Sequence, residues 1–480
     1  MQIFACFGVS LVIPIFAGLA FAQAIDLNAA PDPNDIPVPE IKTPMGDLPG
    51  VNELPVRKEM PDVMTMNDGT RVTTPEQWAK RREEMKKILE YYAVGQAPPP
   101  PGNVTGKEIK SELLVKGTIK YRLIHLTFGP DESLSMDIGI FTPTQGGPFP
   151  AYIEPSGSPP GATTRPILPQ GRGPGHEQDV LSMMGPTTRA ATTRPGLGFG
   201  FRGFSAEEIA ETNQAILHGF AYVTFNSNDC AEDTTLRNPD GSFAFRTTRF
   251  FPAYPGYDWG ILRGWAWGES RIADYLQTDP SIDKTKLIIT GVSRWGKAAL
   301  IAGALDDRFA MVAPVASSGG GTPAYRFSGF GRGGKEGLVE MMRKYPNQFS
   351  PHLYQFYGHQ DQLPFDEHWF IALCAPRPFI ALEGLTDQNV QHYGVRQSWI
   401  NAKPAYDFLG VPDRLGISWT ERRHGKVQGD WDALLAFADK YLIGKKVDRK
   451  FDEFPPTAFV PPGQTTKPSD AASPTTAPAQ

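Results

Sequence analysis

Residues 286 to 305, KLIITGVSRWGKAALIAGAL, contain one abrupt change of pattern. The apolar run Leu287-Ile288-Ile289-Thr290 stops at Gly291, and an alanine-rich stretch of helical character begins a few residues later. β-Branched residues suit strands, while Ala and Leu suit helices. The segment therefore predicts a strand, a tight turn and a helix. Ser293 stands at the corner, two residues after Gly291. In a nucleophile elbow a serine sits on just such a turn, at the carboxyl edge of a sheet, with small neighbours because strand and helix approach closely there. The fifth position of the usual motif is Trp295, and glycine comes one place later, at Gly296. A bare G-x-S is a weak signal; the strand before it and the helix after it carry the reading.

The rest of the chain agrees with that setting. SAEEIAETNQAILHG predicts a helix, FAYVTFNS a strand, and WGILRGWAWGESRIADYLQT a long tryptophan-rich helix ahead of the serine strand. FAMVAPVASS, RPFIALEG and RLGISWTERR predict three further strands, and WDALLAFADKYLIG a closing helix. Alternation of this kind favours a mostly parallel central sheet with helices on both faces, an α/β three-layer sandwich. Upstream, IKYRLIHLTFG and LSMDIGIFTP predict strands joined through the turn GPDE, and PFPAYIEPSG a third. TPEQWAKRREEMKKILEYYAVG predicts a helix, with Thr74 as N-cap and Pro75 in the first turn.

Residues 1–22 are expected to be a signal peptide: the apolar run from Ile3 to Ala20 leads into Ala20-Phe21-Ala22 as cleavage site, although no Lys or Arg precedes it. No later segment has the roughly eighteen apolar residues of a spanning helix, so the expectation is a secreted or periplasmic protein with no membrane association after cleavage. Residues 23–72, rich in Pro, Asp and Asn, predict an extended arm ahead of a catalytic domain at 73–447. Within that domain, residues 155–205 are dominated by Gly, Pro, Thr and Arg, with TTRP at 163 and again at 192, and predict a low-complexity insertion. The composition of residues 448–480 predicts a disordered tail. The formal net charge of -5, with no dominant basic run, argues against nucleic acid as a partner. A monomer is expected. After cleavage only Cys230 and Cys374 remain, too few for a disulfide framework and not spaced as a metal site.

A serine hydroxyl needs a base to take its proton, and the elbow predicts the chain order Ser, acid, His. His352, His359 and His368 fall in an irregular region before the strand RPFIALEG; His392 and His424 follow it. His424, directly after the last predicted strand, can reach back over the sheet edge, whereas His392 lies at a helical start. Asp387, in GLTDQN, occupies the turn after RPFIALEG and is favoured as the acid over Glu383, which belongs to the strand. Arg294 follows the nucleophile, so its backbone N–H belongs to an oxyanion hole, to which its guanidinium adds charge. Lys297, one helical turn further on, is placed to bind a polar or anionic group near the scissile bond.

GVSRWGK, together with YPGYDWGILRGWAWGESRIADYLQTDPSID and LPFDEHWFIALCAPRPFIALEG, resembles the bacterial glucuronoyl esterases, carbohydrate esterase family 15. The likeness runs from about residue 75 to 445. It implies an α/β-hydrolase fold, no metal or organic cofactor, and cleavage of esters joining glucuronic acid of xylan to lignin alcohols. By that resemblance Ser293 is the nucleophile, Arg294 the oxyanion arginine, Lys297 a uronate-binding residue and His424 the base, and Glu336 matches a glutamate that contacts the uronate. Three positions depart from the family pattern. Ala316 stands where many members carry the triad acid, so Asp387 must serve, as it does in relatives with an acid at that later position. Asn389 replaces a tryptophan that packs against the sugar. Val292 and Gly425 occupy the places of two cysteines that form a bridge in fungal relatives. Two alternatives stay open: an esterase for another acyl group, such as acetyl on xylan, and a non-catalytic carbohydrate-binding descendant.

Overall fold

The computed structural model of the chain describes residues 41–162, 204–239, 242–328 and 336–461. The expected signal peptide, residues 163–203 of the expected insertion and the end of the tail from 462 lie outside the described residues.

Among the described residues nine strands form a single sheet in the order β1-β2-β3-β5-β4-β6-β7-β8-β9. In chain order they are Thr105–Leu114, Ile119–Phe128, Leu134–Pro143, Phe149–Pro155, Ala221–Phe225, Ile282–Val292, Phe309–Val315, Phe379–Gly384 and Leu415–Thr420. β1 to β3 are antiparallel and β3 meets β5 antiparallel, but every pairing from β5 through β4 to β9 is parallel. Parallel strands need crossovers, and the helices α1 (Pro75–Ile88), α2 (Ala206–Thr212), α3 (Gln214–Leu217), α4 (Ile261–Leu276), α5 (Arg294–Leu305), α6 (Leu338–Lys344), α7 (His368–Cys374), α8 (His392–Phe408) and α9 (Gln428–Ala438) lie among or beside the strands.

Two hydrophobic layers result. Ile289, Val312 and Ala381 face one, with residues of α1, α4, α5, α7 and α8. Ile288, Met311 and Ile380 face the other, with α2, α3 and α9. Neighbouring residues of one strand thus enter opposite layers, as the period of two requires, and this is why these strands read as unbroken apolar runs.

Four features differ from the reading of the sequence. β1 was not foreseen: it is an edge strand, exposed along nearly its whole length and rich in Lys, Glu and Ser, so it carries no alternating apolar signal. The helix expected over SAEEIAETNQAILHG is two helices, because Asn213 turns to extended backbone and caps the second with its side chain. The arm is not free over its described part. Val63 and Met64 are buried, and the carbonyl of Pro61 lies 2.7 Å from His368 Nε2 and 3.0 Å from Trp369 Nε1. The tail expected to be disordered from 448 is ordered to 461, since Phe451 is buried in the α9 layer and Ala458 is fully buried.

Candidate active site

The corner after β6 is built by close approach. A Cβ on Gly291 would lie 2.6 Å from the carbonyl of Trp295, and one on Gly296 would lie 2.8 Å from the carbonyl oxygen of Gly291. The chain therefore needs glycine at 296 rather than 295. Ser293 between them has φ 59° and ψ -123°, backbone that a side chain rarely tolerates. It is held there by its own N–H, which donates to Val315 O at 2.9 Å on β7. Strain fixed by surrounding structure is a mark of a working site. The serine sits at the N-terminus of α5, whose first N–H groups have no partner within the helix.

His424 lies on the loop between β9 and α9, and its Nδ1 is 2.8 Å from Oδ2 of Asp387, in the turn after β8. Asp387 is buried, and its Oδ1 accepts the N–H of Asn389 at 2.9 Å. The histidine loop is pinned on both sides. Arg422 donates from Nε to Asp430 Oδ2 at 2.7 Å and from Nη2 to Leu382 O at 3.0 Å. Lys426 pairs with Glu154 on β4, donates to Tyr152 Oη at 3.2 Å, and lies 4.1 Å from the ring centre of Trp431.

The other acid considered, Glu383, points elsewhere. It is fully buried and accepts a hydrogen bond from Thr322 Oγ1, which is also 3.0 Å from Ser317 Oγ. Burial pushes its carboxyl up to about 8, against the opposing pull of Thr322 and Arg422. His392 is engaged apart from the serine, with Nδ1 at 2.6 Å from Thr457 Oγ1 and Nε2 at 3.3 Å from Gly384 O. Ala316, at the place of the missing family acid, is fully buried with φ 45°.

Both cations near the serine are paired. The Arg294 guanidinium is bound by Asp233 and lies 5.2 Å from the ring centre of Tyr345. Lys297 is buried, with Nζ 3.5 Å from Glu336 Oε2 and donating to Ser318 Oγ at 3.3 Å. Burial lowers the lysine below its ordinary value, and Glu336 works against that shift.

One hollow gathers Ser293, Arg294, Lys297, Glu336, Tyr345, Gln348, Asn389 and His424, with Asp387 directly behind the histidine. The residues favoured from the sequence, Ser293, Arg294, Lys297, Glu336, Asp387, Asn389 and His424, are thus at one place. Gln348, Tyr345 and Asp233 were not singled out. Gln348 ends a short 3-10 turn at Pro346–Gln348 and is buried, and its Oε1 accepts no hydrogen bond among the described residues. An unsatisfied buried acceptor at a pocket wall is a ready partner for a hydroxyl. Its sequence setting, an irregular stretch between helices, gives no periodic signal that could have found it. No group of three or more His, Cys, Asp or Glu is placed to hold a metal among the described residues.

A mostly parallel sheet carrying a strained serine at a strand-to-helix corner, with a carboxylate-bound histidine on a later loop, defines an α/β-hydrolase. Comparison with known proteins extends this. The family described as glucuronyl esterase, fungi, matches residues 206–410. A carbohydrate esterase of an unknown prokaryotic organism is 26% identical over 412 residues, which cover 80% of this chain and 90% of that one. A 4-O-methyl-glucuronoyl methylesterase of Podospora anserina is 26% identical, over 81% of this chain and 69% of its own. A family 15 glucuronoyl esterase from Caldicellulosiruptor kristjansonii superposes with a TM-score of 0.60 at 27% identity, over 85% of this chain and 98% of that one. The chain is a carboxylic ester hydrolase similar to the glucuronoyl esterases of carbohydrate esterase family 15, as the serine motif and its flanking segments led us to expect.

Proposed function

We propose that this enzyme hydrolyses 4-O-methyl-glucuronoyl esters, including those that join glucuronoxylan to lignin alcohols, outside the cytoplasm. Ser293 is the nucleophile, His424 the base, Asp387 the acid and Arg294 the oxyanion arginine. The observation that carries the reading is the convergence of these groups with Lys297, Glu336, Gln348 and Asn389 around one polar hollow. The names of the relatives, among them several 4-O-methyl-glucuronoyl methylesterases, supply the substrate class. The apolar run Ile3 to Ala20 supports export.

The steps follow from the groups. Ser293 Oγ attacks the ester carbonyl while His424, its Nδ1–H held by Asp387, takes the serine proton on Nε2. The carbonyl oxygen becomes an oxyanion facing the Arg294 N–H and guanidinium. Collapse expels the alcohol, which receives the proton from His424, and leaves an acyl-enzyme. Water attacks that ester, gives its proton to His424, and releases glucuronate and the serine. Lys297, Glu336 and Gln348 hold the sugar hydroxyls.

Asn389 favours one second reading. An amide in place of a stacking tryptophan leaves the sugar less tightly held, so a smaller acyl group such as acetyl on xylan also fits the chemistry. Initial rates on benzyl glucuronate and on acetylated xylan decide between them. Turnover of benzyl glucuronate with little acetate release supports the proposal, and the opposite pattern replaces it.

A further inference from the structure

We infer that Asp233 tunes this pocket for a neutral ester, by holding the Arg294 guanidinium in place and cancelling its charge so that the anionic acid product is not retained. The inference rests on the glucuronoyl ester reading and concerns the same site. Asp233 lies 61 residues before Arg294 in sequence and in no motif, so only the fold brings the two together.

Its placement is fixed from several sides. Its N–H donates to Asn228 Oδ1 at 2.8 Å, within the loop that leaves β5. Its Oδ1 lies 3.4 Å from Asn347 Nδ2, and that amide also donates to Thr234 O at 3.0 Å. Asn347 precedes the pocket residue Gln348, so one short network ties the arginine to the turn that carries that glutamine. The pair is mostly shielded from solvent, with side-chain exposures of 11% for Arg294 and 18% for Asp233.

The charge balance gives the placement its meaning. Lys297 has its own acid, Glu336, and these side chains are 2% and 11% exposed. The charges of Arg294, Asp233, Lys297 and Glu336 sum to zero. Burial holds Glu367, which also acts on Lys297, well above the usual carboxylate range. The substrate is an uncharged ester at its reacting end. The product is a carboxylate, ionised above about pH 4, at the point where Arg294 reaches. An unpaired arginine there would grip both oxygens of a carboxylate in a bidentate pair. With Asp233 holding Nη1, one arm of that grip is already taken and the net charge offset, while the remaining guanidinium N–H groups are left to face the oxyanion in the transition state.

The test is binding, measured by calorimetry on Ser293→Ala so that nothing turns over. Glucuronate and methyl glucuronate are titrated into Ser293→Ala and into Ser293→Ala/Asp233→Asn. The expected result is a shift of about tenfold in the ratio of the two Kd values toward glucuronate when Asp233 loses its charge, one like-charge repulsion being removed from a shielded site. Asp233→Glu keeps the charge and should leave the ratio within about threefold of the parent, which separates charge from packing. A ratio unchanged by Asp233→Asn, or both ligands weakened alike, overturns the inference. If neither ligand binds Ser293→Ala, the glucuronoyl reading itself fails and this inference falls with it. Should Asp233→Asn not fold, product inhibition decides: turnover by Asp233→Glu must stay as insensitive to added glucuronate as the parent, and a tenfold gain in inhibition despite the retained charge overturns the inference.

Discussion

Replacing Asp387 by asparagine should cripple this enzyme through the tautomer of one histidine, and the surrounding hydrogen bonds say why. Asp387 Oδ1 accepts the N–H of Asn389, while Oδ2 faces His424 Nδ1. In Asp387→Asn the Asn389 N–H still needs an acceptor, so the amide oxygen takes the δ1 place and the NH₂ turns toward the imidazole. His424 Nδ1 must then accept, which puts the ring proton on Nε2, where the serine proton has to go. Geometry survives and the base is lost. The equivalent change in the serine protease triad lowers kcat about ten-thousand-fold, which is about 5.4 kcal/mol of barrier, and a fall of that order is expected here. Glu383→Gln is the matched control. The Glu383 carboxyl, pushed up to about 8 by burial, is largely protonated at pH 7, so an amide there changes little charge. Its cost should stay within about threefold, as for a swap that keeps shape and most hydrogen bonding. Both variants are assayed for kcat on methyl glucuronate at pH 7, with thermal melting to verify folding. A crippled Glu383→Gln beside a near-normal Asp387→Asn would refute the reasoning outright.

Four further outcomes follow. Ser293→Ala should fold normally and lose several orders of magnitude in kcat, because triad members act as a unit; near-normal turnover removes the serine from the mechanism. Arg294→Ala keeps the backbone donor and loses the guanidinium, so kcat should drop about a hundred- to a thousand-fold, and an unchanged rate would leave Arg294 a packing residue. Lys426→Met leaves Glu154 without its cation in a shielded place; a loss of about 3 kcal/mol or more is expected for breaking such a pair, read as a lower Tm, and pairing the change with Glu154→Gln should restore part of it. The last concerns pH. The folded state raises Glu383 from 4.5 to about 8, so it binds a proton that the unfolded chain releases. Stability must then decline as pH rises across that window, and Tm curves of wild type and Glu383→Gln should diverge from acid to pH 8 in favour of the variant; parallel curves would contradict the raised value.

The serine corner was legible because three independent constraints meet in a few residues: a β-branched run, glycines where backbones touch, and a helix former directly after. His424 and Asp387 were legible because the hydrolase order assigns each to a particular turn of the sheet, and both turns follow strands with strong apolar runs. β1 was not, since an exposed edge needs no apolar face. The end of the chain misled for a related reason: its proline-rich composition reads as disorder, yet single aromatic anchors, Phe451 and Phe454, are enough to fasten it to the layers below. Asp233, Tyr345 and Gln348 were illegible for a different reason. They come from loops whose path is set by tertiary contacts, and a charge pair between residues 233 and 294 leaves no local trace.

The clamps on the histidine loop have a consequence for where this protein can become active. Among the described residues both cysteines, Cys230 and Cys374, are buried free thiols. Nothing in the fastening of Arg422 to Asp430 or of Lys426 to Glu154 waits on an oxidant. The placement of Ser293, His424 and Asp387 is therefore set by the packing and ion pairs of the described residues, in the reducing interior of a cell as much as beyond it. Dithiothreitol added to the purified enzyme finds no disulfide among the described residues of the site to cut.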